Sequence, residues 1–171
     1  DILAHILSAS KNTLPTPKSF NTLMGVTRVI NDTLRKYHEV FLVEMGAYKA
    51  HEIDDIAQLV KPTIGILTAI GPQHLERFGT IENVAKAKFE LLQSLPQDGI
   101  AIINFDDDNI RRLIPTLPGI QLITVSAAGN SHADIYAGDV TCSANGLSFD
   151  IHDTKRNKQV RCQVNILGRH N

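Results

Sequence analysis

Apolar residues along this chain recur with two alternating periods. In residues 1–10, Ile2, Leu3, Ile6 and Leu7 fall on one face of a helix, with nothing ahead of them to cap its first turn. The chain thus reads as starting inside a helix, and a fragment with a missing upstream part is expected. Residues 13–20 hold two prolines and read as extended, and Val26, Val29, Ile30, Leu34 and Tyr37 line one face of a second helix. The period then changes. Residues 40–46 form a short apolar run that stops at Gly46, which predicts a strand buried on both faces. Residues 51–60 return to helix with Ile53, Ile56, Ala57 and Val60 in line. Residues 63–70 read as the next buried strand, 80–95 as a long helix opened by Thr80 as N-cap, and 99–105 as a further strand. Residues 107–117 predict a short helix and 121–127 another strand.

Strands alternating with helices predict an α/β fold: a mostly parallel sheet flanked by helices, with ligands at the carboxyl ends of its strands. The tail differs. Residues 139–153 and 158–167 alternate apolar with polar, and turn signals stand at Asn145-Gly146 and around Asn157. A single domain over 1–171 is expected, with a parallel core in 1–135 and a small antiparallel subregion in 136–171. No internal repeat or low-complexity tract interrupts it.

Composition narrows the function classes. With 43% hydrophobic and 20% charged residues and no Trp, the 171 residues can bury one sizeable core. Lys plus Arg number 17 against 18 Asp plus Glu, so no overall field attracts nucleic acid or anionic lipid. No nucleic-acid or membrane partner is expected. The longest apolar runs fall far short of the roughly 20 residues that span a bilayer, and no signal peptide opens the chain. Cys142 and Cys162 both fall in strand-like segments; two free thiols in a reducing cytoplasm are expected rather than a bridge.

Four places carry candidate chemistry. Glu44 is the single acid inside an apolar strand, and a carboxylate buried there needs a cation or donors. His74, in Gly-Pro-Gln-His, lies beyond the end of the following strand, so the two stand on one rim of the sheet as potential metal ligands or as ordinary hydrogen-bonded loop residues. On the helix over 80–95, Ile81, Val84, Ala85, Leu91, Leu92 and Leu95 define the apolar stripe, and Lys88 projects onto its middle at ~100° per residue. A surface lysine would sit with Lys86, Glu82 and Glu90. Lys88 either carries its head past the edge of the stripe to water or is used chemically, because a desolvated lysine exposes a neutral amine that combines with carbon dioxide to give a carbamate. Asn104 to Asp108 close a strand and open a helix, where acids suit the helix dipole and where ribose or adenine is also met.

In this order the pieces resemble the Mur ligases, ATP-dependent amide-bond ligases of peptidoglycan precursor synthesis, and specifically their middle, ATP-binding domain. The residues carrying the likeness are Thr16-Pro with Asn21 and Gly25-Val26, Glu44-Met-Gly-Ala47, His51-Glu-Ile53, His74-Leu-Glu-Arg-Phe-Gly79, Ala85-Lys-Ala-Lys88 and Leu167-Gly-Arg-His-Asn171. They are most similar to the branch that adds D-alanyl-D-alanine to a UDP-N-acetylmuramoyl tripeptide. The resemblance implies that Lys88 is carbamylated and catalytic, and that Glu44, His74 and Lys88 hold one or two Mg²⁺ ions, with Mn²⁺ as a substitute. It implies ATP as cofactor, met by Asn104, Asp107, His170 and Asn171. Thr16 and Asn21 are assigned to the muramoyl substrate. ATP would phosphorylate the substrate's carboxylate, and the amine of an amino acid or dipeptide would displace phosphate.

One departure bears on activity. No Gly-x-x-x-x-Gly-Lys-Ser/Thr loop occurs in the chain, whereas the family carries that phosphate cradle just ahead of the helix that opens here. The N- and C-terminal domains of the family are missing too, so the fragment by itself is expected to be inactive. Two alternatives stand beside this reading: a ligase domain of the folylpolyglutamate or cyanophycin synthetase type, and a non-catalytic α/β scaffold.

Overall fold

The computed structural model describes residues 2–72, 74–117, 119–144 and 146–165. The elements in its first half are α1 (Ile2–Ser8), β1 (Thr13–Pro15), α2 (Leu23–Asp32), β2 (Val40–Leu42), α3 (Glu52–Val60), β3 (Ile64–Leu67), α4 (Leu75–Phe78) and α5 (Ile81–Gln93). There follow β4 (Ile100–Asn104), α6 (Asp108–Leu113) with a 3₁₀ turn at Ile114–Thr116, β5 (Gln121–Ser126), β6 (Ile135–Ser143), β7 (Gly146–Asp153) and β8 (Lys158–Val164). These divide into two compact units, residues 1–62 with 71–94 and residues 63–70 with 95–171.

In the first unit, α2, α3 and α5 pack in series and bury Val26, Val29, Ile53, Ile56, Val84, Phe89 and Leu92. β1 and β2 pair in parallel from Thr13 opposite Val40 to Pro15 opposite Leu42. The Thr16 N–H still reaches the Leu42 carbonyl at 2.9 Å, but the next donor in line, the Glu44 N–H, goes to the Thr16 hydroxyl at 3.1 Å and the ladder ends there. The strand expected over 40–46 is therefore only three residues long and half-buried, and Glu44 stands exposed beyond it. Two further expectations fail here. On α1, the face with Ile2, Leu3 and Ile6 is exposed and Ala4 is the buried residue, because the seven-residue helix packs on a strand of three, too short to cover a two-turn stripe. The second helix stops at Asp32, where the Arg35 guanidinium donates to the carbonyls of Asp32 (2.7 Å) and Leu34 (2.8 Å), and Tyr37 is exposed rather than on a packed face.

The second unit is a six-stranded sheet in the order β3-β4-β5-β6-β7-β8. The first three pairings are parallel and the last two antiparallel, so the change of direction falls at β6. β3 alternates exposed and buried residues, with Ile64 and Ile66 exposed, which corrects the expectation of a strand buried on both faces. The β5–β6 pairing spans only Val125–Ile135 and Ser126–Tyr136 across a connection too short for a helix. Side chains hold it instead. Asp106 accepts from the Ser126 hydroxyl (2.6 Å) and the Ala127 N–H (2.8 Å), and Asp134 accepts from the Thr124 N–H (2.8 Å). Of the predicted turns, the one at Asn157 is present, with φ 49, and Gly146, at φ +119, opens β7, while Asn145 lies outside the described residues. β7 lies between β6 and β8 and the cysteines are offset along it, Cys142 opposite Leu147 and Cys162 opposite Phe149, which puts them roughly 11–12 Å apart and out of disulfide reach. Both thiols are free.

Acid should loosen this antiparallel end. Burial opposes the charge on Asp134, yet hydrogen bonds from the Thr124 N–H, Lys155 and the Thr124 hydroxyl outweigh it and hold its carboxyl below the usual range. The Arg161 hydrogen bond does the same for Asp150, and the Arg156 hydrogen bond for Asp153. A carboxyl with a depressed folded pKa contributes stability above its unfolded pKa of about 4 and loses it as pH falls through the lower folded value. The melting temperature is expected to hold from pH 7 to 5 and to drop below about pH 4. Asp134→Asn should start lower at pH 7 and fall less steeply; a parallel acid limb in the variant would remove Asp134 from this account.

Candidate functional site

α5 starts where the Thr80 hydroxyl accepts the Asn83 N–H at 3.2 Å. Its buried arc takes in Val84, Ala85, Phe89 and Leu92, and Lys88 falls at the centre of that arc as its spacing predicts, yet the side chain is only half-buried. The reason is a small, water-sized cleft lined by Ala47, His74, Phe78, Val84, Ala87 and Lys88. The structure thus brings His74 and Lys88 to one opening.

Glu90 does not share the solvent face with Glu82 and Lys86, as the spacing suggested. Its side chain is 13% exposed, and it accepts the N–H groups of His51 (2.8 Å) and Asp54 (3.2 Å), so α5 supplies the N-terminal cap of α3. His51 itself makes no side-chain cap and sits at φ 71, a left-handed conformation that costs a residue with a Cβ roughly 1–2 kcal/mol. Its imidazole is largely exposed. His51→Gly is expected to stabilise the first unit by about 0.5–1 kcal/mol, once glycine's extra freedom in the unfolded chain is offset, and to raise the melting temperature by a few degrees. A lowered melting temperature would show that the imidazole contributes more than the backbone relief.

His74 is also left-handed, at φ 53, as the residue that opens α4. Its side chain is 43% exposed, with Nδ1 3.8 Å from Glu76 Oε1. The Tyr48 ring packs against its imidazole at 4.6 Å between centroids, and the Arg77 guanidinium lies over the same tyrosine ring at 5.0 Å. Tyr48 escaped the sequence reading because an aromatic just after Gly46-Ala47 fits a plain loop equally well. Arg77 and the capping role of Glu90 escaped because both depend on partners distant in the chain.

Glu44 is exposed, so no burial cost demands a partner for it, contrary to expectation. It is nevertheless held. Its N–H donates to the Thr16 hydroxyl at 3.1 Å, and Asn21 Nδ2 donates to its Oε1 at 3.4 Å. The Asn21 carbonyl also accepts the Gly46 N–H at 2.8 Å. Gly46 suits that approach, since a Cβ there would stand 3.0 Å from Asn21 Nδ2 and the amide would have to give way by a few tenths of an ångström. Thr16, Asn21 and Glu44 therefore form one bonded cluster in the first unit, three residues before Ala47 at the cleft.

Asn104 and Asp107 belong to the second unit. Asn104 Nδ2 donates to the Thr68 carbonyl at 2.9 Å. Asp107 caps α6 by accepting the Asn109 (2.9 Å) and Ile110 (3.2 Å) N–H groups, and its other oxygen accepts the Ile70 N–H at 2.8 Å. These bonds fix the carboxyl ends of β3 and β4. His170 and Asn171 lie outside the described residues.

A model of the Mur ligase middle domain matches residues 1–171. The chain belongs to the Mur ligase family. Among its relatives is the UDP-N-acetylmuramoyl-tripeptide–D-alanyl-D-alanine ligase of Buchnera aphidicola, 30% identical over all of this chain and 36% of that enzyme. The ligase of the same name from Escherichia coli K12 is 28% identical, again over all of this chain and 37% of its own length. Among solved structures, MurF from Acinetobacter baumannii superimposes with a TM-score of 0.88 at 26% identity, covering 99% of this chain and 36% of that one. This Mur ligase middle domain thus spans about a third of the relatives it matches. Among the described residues no helix is long and apolar enough to cross a membrane.

The fit of a metal to this Mur ligase site follows from its donors. Among the described residues no three His, Cys, Asp or Glu side chains converge. Glu44 offers an oxygen donor and His74, at the cleft, a nitrogen donor, whereas Mg²⁺ demands mostly oxygen, so these two side chains by themselves fall short of a magnesium site.

Proposed function

We propose that this chain is the middle domain of an ATP-dependent ligase that joins D-alanyl-D-alanine to a UDP-N-acetylmuramoyl tripeptide through an acyl phosphate, in the cytoplasm. The observation that carries the reading is the shared cleft of His74 and Lys88 in a chain matched to the Mur ligase middle domain from end to end. The names of its relatives support the substrate pair. The remaining length of the parent enzyme would hold the nucleotide phosphates and present the amine.

In this reading the neutral Lys88 amine adds to the carbon of carbon dioxide, an N–C bond forms and one proton leaves to solvent. The product is an anionic oxygen pair at the mouth of the cleft. Glu44, His74 and that carbamate would hold Mg²⁺ or Mn²⁺, which when bound neutralises charge on the transferring phosphoryl group and acyl phosphate. Thr16 and Asn21 steady Glu44 from the side read as facing the muramoyl substrate. Asn104 and Asp107 give the β3 and β4 ends a fixed polar rim for the nucleotide, and the chain's tail with His170 and Asn171 is assigned to the same ligand.

The test is ¹³C-bicarbonate NMR of the ligase that carries this domain, at neutral pH with Mg²⁺ and ATP. A carbamate resonance that disappears in Lys88→Ala is expected. Its absence from the unsubstituted protein would favour a non-catalytic scaffold.

A further inference from the structure

The loop from Ala47 to His51 touches both candidate ligands. Ala47 lines the cleft beside Lys88, and Tyr48 packs on the imidazole of His74. That loop is anchored at three points. Glu52 Oε2 accepts the N–H groups of Tyr48 (2.7 Å) and Lys49 (3.2 Å), and Glu90, two residues beyond Lys88, accepts the His51 N–H. Arg77, three residues beyond His74, lies over the Tyr48 ring. The tyrosine is thus fixed through its backbone to α3 and through its ring to α4, and the imidazole rests against it.

His74 needs such a support. It occupies a left-handed position at the head of the four-residue α4, and its side chain is 43% exposed. An unsupported imidazole there would sample several rotamers, and ordering it upon ligation would weaken a metal site. We propose that Tyr48 is a positioning residue that holds the His74 imidazole toward the Lys88 cleft, so that the pair is preorganised for a divalent cation. The proposal rests on the metal-site reading given above. It goes further by assigning the geometry of one ligand to an aromatic ring outside the donor set, backed by Arg77.

The experiment uses the 171-residue chain labelled with ¹³C at its histidine rings, in bicarbonate-containing buffer, titrated with Mn²⁺. Paramagnetic broadening of the His74 ring resonance reports occupancy. Tyr48→Ala is expected to raise the Mn²⁺ midpoint by about three- to tenfold, and Tyr48→Phe, which keeps the ring, to leave it within about twofold. Without metal, the His74 ring shift should move in Tyr48→Ala and stay in Tyr48→Phe, a signature that a general loss of stability does not produce. Arg77→Ala, an exposed change that cannot threaten folding, should raise the midpoint about twofold. Lys88→Ala separates the two ideas. If it leaves the His74 broadening unchanged, the metal-site reading fails and the proposal with it. If it abolishes the broadening while Tyr48→Ala titrates like the unsubstituted chain, the metal site stands and the role of Tyr48 is overturned. Equal weakening by Tyr48→Phe and Tyr48→Ala would assign the effect to the hydroxyl and also overturn it.

Discussion

Lys88→Ala is expected to reduce ligation by the enzyme carrying this domain at least about a thousandfold, which corresponds to ~4 kcal/mol of lost transition-state stabilisation. The size follows from what the substitution removes. Without a carbamate on Lys88, Glu44 and His74 would supply one oxygen and one nitrogen donor, too few to fix a hard cation against a transferring phosphoryl group. The loss should fall mainly on kcat, because the charge that the site stabilises develops during transfer. Alanine leaves space at the head of the cleft, and added formate or acetate is expected to restore part of the rate by standing in for the missing carboxylate. Lys86→Ala, on the exposed face of the same helix, should change the rate less than twofold. Full activity in Lys88→Ala would remove the lysine from the chemistry and leave it as a side chain that merely passes the edge of an apolar stripe.

The second large effect is on stability. Phe89 is 1% exposed and is the largest fully buried side chain among the described residues, at the point where α5 meets the rest of the first unit. Phe89→Ala should cost about 3–5 kcal/mol, since the lost transfer energy of the ring is joined by a cavity that a packed helix cannot close. For a chain of this size that lowers the melting temperature by ~6–20 °C. The measurement is chemical or thermal unfolding followed by a probe in the first unit. A cost below ~1 kcal/mol would mean that α5 repacks freely and that Lys88 is not held in a fixed place. The two predictions therefore join, because the same helix positions the lysine and buries the phenylalanine one residue later.

Much of the candidate site was legible in the sequence, for a physical reason that differs by residue. Lys88 was found because helix geometry is local: ~100° per residue places it among Val84, Ala85 and Leu92 whatever surrounds the helix. The turn around Asn157 and the cap at Thr80 were readable for the same reason, each being set by near neighbours in the chain. Glu44 was misjudged in its burial because the end of β2 is set by a segment far away in sequence, where the Thr16 hydroxyl takes the Glu44 N–H. Glu90 was misplaced on the surface because its partners are the His51 and Asp54 N–H groups, far away in sequence. Tyr48 and Arg77 gave no signal because neither lies on a periodic face.

The sequence by itself determined the α/β alternation, the antiparallel strands at the C-terminal end, the family, and the face of α5 on which Lys88 sits. Backbone propensity, helix periodicity and short turns are local, so order along the chain was enough to specify them. Only the tertiary structure decided that His74 shares a cleft with Lys88, that the Tyr48 ring packs on the imidazole, that Glu90 caps α3, and that Thr16 and Asn21 bond to Glu44. Those contacts join residues brought together by packing, whose separation along the chain carries no periodic trace.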